Sequence, residues 1–297
     1  MSEGVVWING EFVPEDEAVI SIRDPGFIFG DAVFDTARTF NGEIFKLDEH
    51  LDRLWMSCRY IGVEPPMTQA ELADVTREVA RRNYRSTPEG EDLWVTQRVT
   101  RGRGVPTVIV ETTPLPLRER ARYFVHGIPV VLPSVRRTPP WALSPRAKTH
   151  NYLNMVVAQN ESTRAVPDAW PILLDEFGNV CEGLGSNIFT VVDGVLRTPG
   201  ESHVLAGVSR ATTLELAGQL GIEAYETAIT PYDLAQADEA FLTSTSLCLC
   251  PVATVDGRKL RDPRVPGPVT ERLQRAWKDL VGLDFVAQHT QFVTESQ

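Results

Sequence analysis

The chain has 297 residues, with 29 Lys plus Arg against 40 Asp plus Glu and a formal net charge of -11. Both halves are net acidic, so neither offers the basic face that a nucleic-acid backbone demands, and an apolar share of 42% over this length supplies a buried core, which excludes a disordered chain. No apolar run reaches the ~18 residues of a membrane span, and residues 1–4 lack the basic and apolar parts of a secretory signal, so the cytoplasm is the expected compartment.

Residues 5–8 and 11–13 flank Asn9-Gly10, a pair that accepts the positive φ angles of a tight hairpin turn. Residues 33–40 and 43–45 repeat the pattern around Asn41-Gly42, with Phe34, Thr36 and Arg38 on one strand face and Val33, Asp35 and Ala37 on the other. Asp48 is placed to cap a helix whose apolar face is Leu51, Leu54, Trp55, Cys58 and Ile61 and which Gly62 ends. Thr68 with Glu71 forms a capping box ahead of Leu72, Val75 and Val79.

Four prolines within residues 133–145 forbid a continuous helix or central strand, so this stretch reads as a connector. The expected division is a small N-terminal α/β domain (1–132), a connector (133–147), a larger C-terminal domain (148–290) and a frayed tail (291–297), with His289 at the start of the polar end. Beyond the connector, residues 151–165 read as a helix, and residues 171–175, 188–192, 195–197 and 240–243 as strands, with turns at Gly178-Asn179 and Asp193-Gly194. Residues 209–220 form a helix stopped by Gly221, and Pro268 opens a last one through Leu273, Trp277 and Leu280.

Cys58, Cys181, Cys248 and Cys250 are too few and scattered for a disulfide framework, and the five histidines lack metal-ligand spacing, so structural thiols and no metal centre are expected. No G-x-S-x-G elbow supports a hydrolase. Lys148 follows the connector, Glu182-Gly183 follows a turn, Gly207-Val208-Ser209-Arg210 opens a helix whose amides suit an anion, Arg53 adds a cation, and residues 243–246 form a hydroxyl cluster. Singly, each has a plain structural role: a solvated amine, a turn carboxylate, an ordinary helix cap in Ser209, a surface ion pair. Together, an amine, a carboxylate and a phosphate cradle point to pyridoxal 5′-phosphate.

With these residues in view, the chain resembles the class IV, fold-type IV pyridoxal-phosphate enzymes over nearly its whole length. The motifs are Asp24-Pro25-Gly26-Phe27, residues 30–35 (GDAVFD), Arg38, Phe45, Leu47, His50, Leu51 and Arg53-Leu54; then Lys148 with residues 151–154 (NYLN), Glu182-Gly183 with residues 186–189 (SNIF), and residues 205–210 (LAGVSR). The resemblance implies a mixed α/β, two-domain fold of the D-amino-acid and branched-chain aminotransferase kind with the cofactor between the domains, and a homodimer whose partner chain closes the substrate pocket. It also implies roles. Lys148 would form the Schiff base and shuttle the proton, Glu182 would hold the pyridine nitrogen protonated, and Arg53, the amides of Val208 and Ser209, and Thr245 would fix the phosphate. Leu205 would pack on the ring and Tyr152 would bond its hydroxyl.

The substrate side departs from the branched-chain pattern. Phe29 stands where a tyrosine is usual, Thr36 replaces a glycine, and Trp94 with Thr96 replaces a Tyr-x-Arg pair, whereas Arg38 matches; the loss removes charge-assisted bonds to a carboxylate. Phe29, Phe34, Thr36, Arg38, Trp94, Thr96 and Ser246 are the candidate substrate residues. Residues 134–139 and 265–270 look like the (R)-selective amine transaminases, and Arg98, Arg101 or Arg103 either clamps a carboxylate or forms a solvated basic turn.

The expected activity is transamination between a hydrophobic amine or amino acid and a keto acid, leaning to the (R)-amine type. Branched-chain or D-amino-acid transamination, an aminodeoxychorismate-lyase-like reaction and a non-catalytic binding protein are the alternatives.

Overall fold

The computed structural model describes residues 4–293, and its contacts divide the chain into two units: residues up to Leu115 with Ala147–Asn151, and Pro116–Arg146 with Tyr152 onward.

The first unit contains β1 (Val5–Ile8), β2 (Glu11–Pro14), α1 (Pro25–Phe29), β3 (Ala32–Phe40), β4 (Glu43–Ile44), α2 (Leu47–Ile61), α3 (Gln69–Tyr84), β5 (Leu93–Thr100) and β6 (Thr107–Pro114). Its sheet runs β2-β1-β6-β5-β3-β4, antiparallel throughout. Both hairpin turns form as their residues dictate, with positive φ at Asn9, Gly10, Asn41 and Gly42. The capping box of α3 is complete: the Glu71 N–H donates to Thr68 Oγ1 at 3.2 Å and the Thr68 N–H to Glu71 Oε2 at 2.7 Å.

Helix α2 corrects one expectation. It starts at Leu47 behind a left-handed Lys46, because β4 ends at Ile44 and a short turn leads straight into the helix; Asp48 therefore sits inside the first turn and is not the cap. Gly62, with φ of 65°, closes α2 as expected. Leu51, Leu54, Cys58, Leu72 and Val79 join Val33, Val99 and Val110 in one buried cluster, and each such leucine contributes roughly 1.5–3 kcal/mol by leaving water. That anchors α2 and α3 on the sheet.

The second unit contains α4 (Leu117–His126), β7 (Ile128–Val131), α5 (Leu153–Ala165), β8 (Trp170–Leu174), β9 (Val180–Gly183), β10 (Ser186–Val192), β11 (Val195–Thr198), α6 (Val208–Gln219), β12 (Ala224–Glu226), α7 (Pro231–Ala235), β13 (Glu239–Ser244), β14 (Cys248–Val255), β15 (Arg258–Lys259), α8 (Pro268–Val281) and α9 (Phe285–Thr290). Its strands run β12-β11-β10-β13-β14-β7-β8-β9, with β15 on β14, and β9 also pairs with β10. Six strands, β10, β13, β14, β7, β8 and β9, therefore close into a ring, and β12 and β15 are left as edge strands. Phe189 and Phe241 stack at 5.0 Å on neighbouring strands and are fully buried.

Several boundaries differ from the sequence expectation. Residues 116–132 belong to the second unit because β7 pairs in parallel with β14 and β8. Lys148, expected in the C-terminal domain, clusters with the first unit: Thr149 bridges to Val33, and the His150 N–H donates to the Ala32 carbonyl at 2.9 Å. Helix α6 begins at Val208 with Gly207 at its cap, so Ser209 is its second residue and not the cap. In α8, Pro268 opens the helix and Leu273 and Trp277 are buried, but Leu280 is exposed; the left-handed Gly282 turns the chain so that Phe285 packs edge-on to Trp277 instead. His289 is not frayed but buried in α9 against Phe124, 4.3 Å away. Of the expected tail, residues 294–297 lie outside the described residues.

Candidate active site

In the first unit the site is built on β3, β5, α2 and the returning segment 147–151. Lys148 is held by its backbone: the Phe34 N–H donates to its carbonyl at 3.0 Å, and its own N–H donates to Ser57 Oγ at 3.0 Å. Its amine lies 4.4 Å from the centre of the Phe34 ring, within cation–π range.

Arg53 projects from α2 onto Asp35 of β3, with Nε 2.7 Å from Oδ2 and Nη2 2.7 Å from Oδ1, and His50 Nδ1 is also 2.7 Å from Oδ1. All three side chains are buried. Burial opposes charge on Asp35, but the Arg53 and His50 contacts overcome it and hold the carboxyl well below the usual range. Burial lowers the His50 pKa against the pull of Asp35, and Nδ1 is the ring nitrogen that faces the carboxylate.

The register of β3 and β5 sets Phe34 opposite Arg98, Thr36 opposite Thr96 and Arg38 opposite Trp94, placing all six on one sheet face. The two threonine hydroxyls are 3.0 Å apart. Arg38 is buried and occupied: Nε donates to the Thr39 carbonyl at 3.0 Å, the guanidinium lies 4.0 Å over Phe40, and Asp92 is 3.8 Å away. Arg98 bonds Glu111 at 2.8 Å, sits 5.4 Å over Phe34 and has Nη1 3.4 Å from His150 Nε2. Burial, then the charges of Arg98 and Lys148, push the His150 pKa down to about 4. Arg101 instead ties Asp31 to the carbonyls of Ile61 and Gly62, and Arg103 is exposed. Phe29 ends α1, off this sheet face, and is 73% exposed.

In the second unit, Glu182 of β9 is buried. Arg137 Nε donates to its Oε1 at 2.9 Å; its Oε2 accepts the Leu205 N–H at 2.9 Å and lies 3.5 Å from Asn187 Nδ2, which also donates to the Leu205 carbonyl at 3.1 Å. No side chain caps α6 at Gly207, so the amides of Val208 and Ser209 keep the partial positive charge of a helix start. A Cβ at Gly207 would collide with Oδ1 of Asn187, the residue paired with Glu182 across β9 and β10, so glycine lets this helix start approach the carboxylate's strand pair. Thr245 and Ser246 form the turn between β13 and β14, where Ser246 Oγ bonds Arg120 of α4, and Tyr152, half-buried, precedes α5.

These groups fit pyridoxal phosphate by the chemistry of the donors. An uncapped helix start and a bidentate-held guanidinium suit a phosphate dianion, and a buried, oriented carboxylate suits a protonated ring nitrogen. Sequence reasoning missed Ser57 and Arg120, placed Arg137 only in a connector segment, and left Asn187 and Asp35, both within its motifs, without a role. Asp35 had a signal, since a carboxylate on the Val33/Ala37 face of a strand demands a partner. Arg137 had none, standing 45 residues from Glu182.

A lysine, donors suited to a phosphate and a buried carboxylate are the equipment of an enzyme built around an aldehyde cofactor. The class IV amino-transferase family model matches residues 32–255, and the chain belongs to that family, whose members use pyridoxal 5′-phosphate. A putative branched-chain-amino-acid aminotransferase of Methanocaldococcus jannaschii is 37% identical over 93% of this chain and 96% of its own length; a D-alanine aminotransferase of Bacillus licheniformis is 30% identical over the same shares. The branched-chain amino acid aminotransferase of T.th., solved with N-(5′-phosphopyridoxyl)-L-glutamate, superposes with a TM-score of 0.85 at 30% identity over 95% of each chain. The chain is thus an aminotransferase with the fold-type IV architecture. Among the described residues no helix is long and apolar enough to cross a membrane.

Proposed function

We propose that this chain is a pyridoxal-phosphate-dependent transaminase of hydrophobic amino acids, with a keto acid as acceptor, working in the cytoplasm as a homodimer. The observation that carries the substrate class is the Phe34 ring, which has the Lys148 amine at 4.4 Å and the Arg98 guanidinium at 5.4 Å. An α-carboxylate beside the reacting amine gives that guanidinium, already bonded to Glu111, a second anionic partner, whereas a simple amine adds none. This favours amino acids over the (R)-amine reading, and the names of the relatives point the same way.

Bound pyridoxal phosphate supplies an aldehyde that captures amines and a ring that draws electron density from the substrate Cα. Lys148 is assigned the covalent anchor and, once displaced, the base that takes the proton from Cα and returns it. Glu182 holds the proton on the ring nitrogen, with its own oxygens oriented by Arg137 and the Leu205 N–H. Arg53, the Val208 and Ser209 amides and Thr245 bind the phosphate; Leu205 packs on the ring and Tyr152 bonds the ring hydroxyl. Phe34 and Trp94 line the apolar side, Thr36, Thr96 and Ser246 offer hydroxyls, and Arg38 braces its strand, while Phe29, exposed on α1, is left to the assembly surface.

Assembly is supported by Phe27, Ile28 and Phe29, three consecutive exposed apolar residues on α1, and sedimentation as a monomer overturns it. The cytoplasm is supported by four buried, unbridged cysteines. The test of activity is the visible spectrum with L-leucine, D-alanine and an (R)-aryl amine added separately. Bleaching by an amino acid and recovery with a keto acid is the expected result. Bleaching by the amine alone restores the (R)-amine reading, pyruvate release without an acceptor indicates a lyase, and no band at all indicates a binding protein.

A further inference from the structure

Ser57 lies one helical turn beyond Arg53 on α2 and is buried. Its hydroxyl makes two bonds at once: it donates to the Arg53 carbonyl at 2.9 Å and accepts the Lys148 backbone N–H at 3.0 Å. A single oxygen therefore joins the backbone of the residue assigned to the phosphate to that of the residue assigned to the aldehyde.

Each end of this link is braced separately. Asp35 takes Nε and Nη2 of Arg53, so the guanidinium cannot swing freely on its stem, and the Phe34 N–H, next along the same strand, fixes the Lys148 carbonyl. Both braces run through neighbouring residues of β3, so α2 and the segment 147–151 are each tied to that strand, and the Ser57 hydroxyl adds a direct tie between the two. Lys148 is 91 residues from Ser57 along the chain, so no local backbone geometry sets their spacing.

We propose that Ser57 is a positioning residue that, with the β3 braces, fixes the separation of Arg53 and Lys148, so that one rigid pyridoxal phosphate molecule meets both anchors together. The inference rests on the roles assigned to those two residues above. The aromatic cofactor cannot stretch to correct a wrong spacing. When one anchor has engaged, the second contact is intramolecular, and its strength depends on how closely the protein's spacing matches the ligand's. A serine bonding the carbonyl four residues back is common in helices and by itself has no bearing on a ligand. The second bond, to the Lys148 N–H, gives it one.

The test compares the full-length chain, freed of cofactor, as wild type, Ser57→Ala and Ser57→Thr, each titrated with pyridoxal 5′-phosphate and with pyridoxal, which lacks the phosphate. The readout is the ratio of the two affinities, a quantity that loss of stability alone does not move. Ser57→Ala is expected to shrink that ratio about tenfold, because simultaneous engagement is lost while the single aldehyde contact persists. Ser57→Thr keeps the hydroxyl and is expected to keep the ratio.

An unchanged ratio in Ser57→Ala, or an equal loss for both ligands, overturns the proposal. Should the alanine variant fail to fold, Ser57→Cys, with its weak hydrogen bonding, takes its place and must also reduce the ratio. Arg53→Gln, run in parallel, must lose the phosphate advantage whatever Ser57 does; if it does not, the role given to Arg53 has failed, which is a separate outcome.

Discussion

Arg137 and Glu182, 45 residues apart in the chain, form a 2.9 Å ion pair with 12% and 4% of their side chains exposed. The pair neutralises a carboxylate that has lost its water, and the Leu205 N–H meets the other oxygen. Together they fix the direction in which that carboxylate presents itself to a ligand.

Arg137→Met strands the Glu182 charge in a buried setting. The expected loss of stability is about 3–5 kcal/mol, the range for breaking a buried pair on one side. Urea unfolding checks it, and a loss below about 1 kcal/mol, the range of an exposed pair, contradicts the burial argument.

His150 gives the protein a pH dependence of predictable sign. Its folded pKa of about 4 lies below the ordinary 6.5, because burial and then the Arg98 and Lys148 charges disfavour the imidazolium. Between those values the unfolded chain binds more protons, so the contribution is complete above pH 6.5 and is lost as pH falls through 4. Asp35, also depressed, adds a loss only below its ordinary 3.8. His150→Asn is therefore expected to lose less stability than the wild type between pH 7 and pH 4.5, read from urea midpoints. Identical slopes would refute the assignment.

Gly207 and Gly218 make a matched pair on α6. The backbone at Gly207 has φ of -69°, which any residue tolerates, yet an added Cβ meets Asn187 Oδ1. Gly207→Ala is expected to cost about 1–3 kcal/mol through overpacking, and to weaken cofactor retention by displacing Asn187 from Glu182 and Leu205. Gly218 is exposed with nothing within 4 Å of its Cβ position, so Gly218→Ala is expected to stabilise by about 0.5–1 kcal/mol. Thermal melts and dialysis of the holoprotein separate the two.

Lys148→Ala removes the amine but leaves the backbone bonds to Phe34 and Ser57 in place. Turnover is expected to vanish with the melting transition preserved; retained transamination would sink the role of Lys148.

Much of this was legible in the residues. Asn9-Gly10 and Asn41-Gly42 name their turns, Thr68 with Glu71 names a helix start, and the order of the motifs around Arg53, Lys148, Glu182 and residues 205–210 names a family. These signals are local: positive φ, cap chemistry and short spacing depend on neighbours a few residues away. Where a stronger tertiary partner existed, local reading failed. Asp48 yielded the start of α2 to the turn after β4, Leu280 yielded to Phe285, and His289 is buried against Phe124.

Only the tertiary structure decided which charges meet. Sequence offered Arg38 as a match to the branched-chain pattern and Arg98 as one of three arginines for a carboxylate clamp or a solvated turn, and the β3–β5 register with Asp92 and Glu111 gave them different surroundings. It alone returned Lys148 to the first unit, joined it to Arg53 through Ser57, and set Arg137 on Glu182. The physical reason is range. A turn or a cap is determined by the dihedral limits of adjacent residues, whereas a contact across tens of residues exists only after strand register and chain closure have placed both partners.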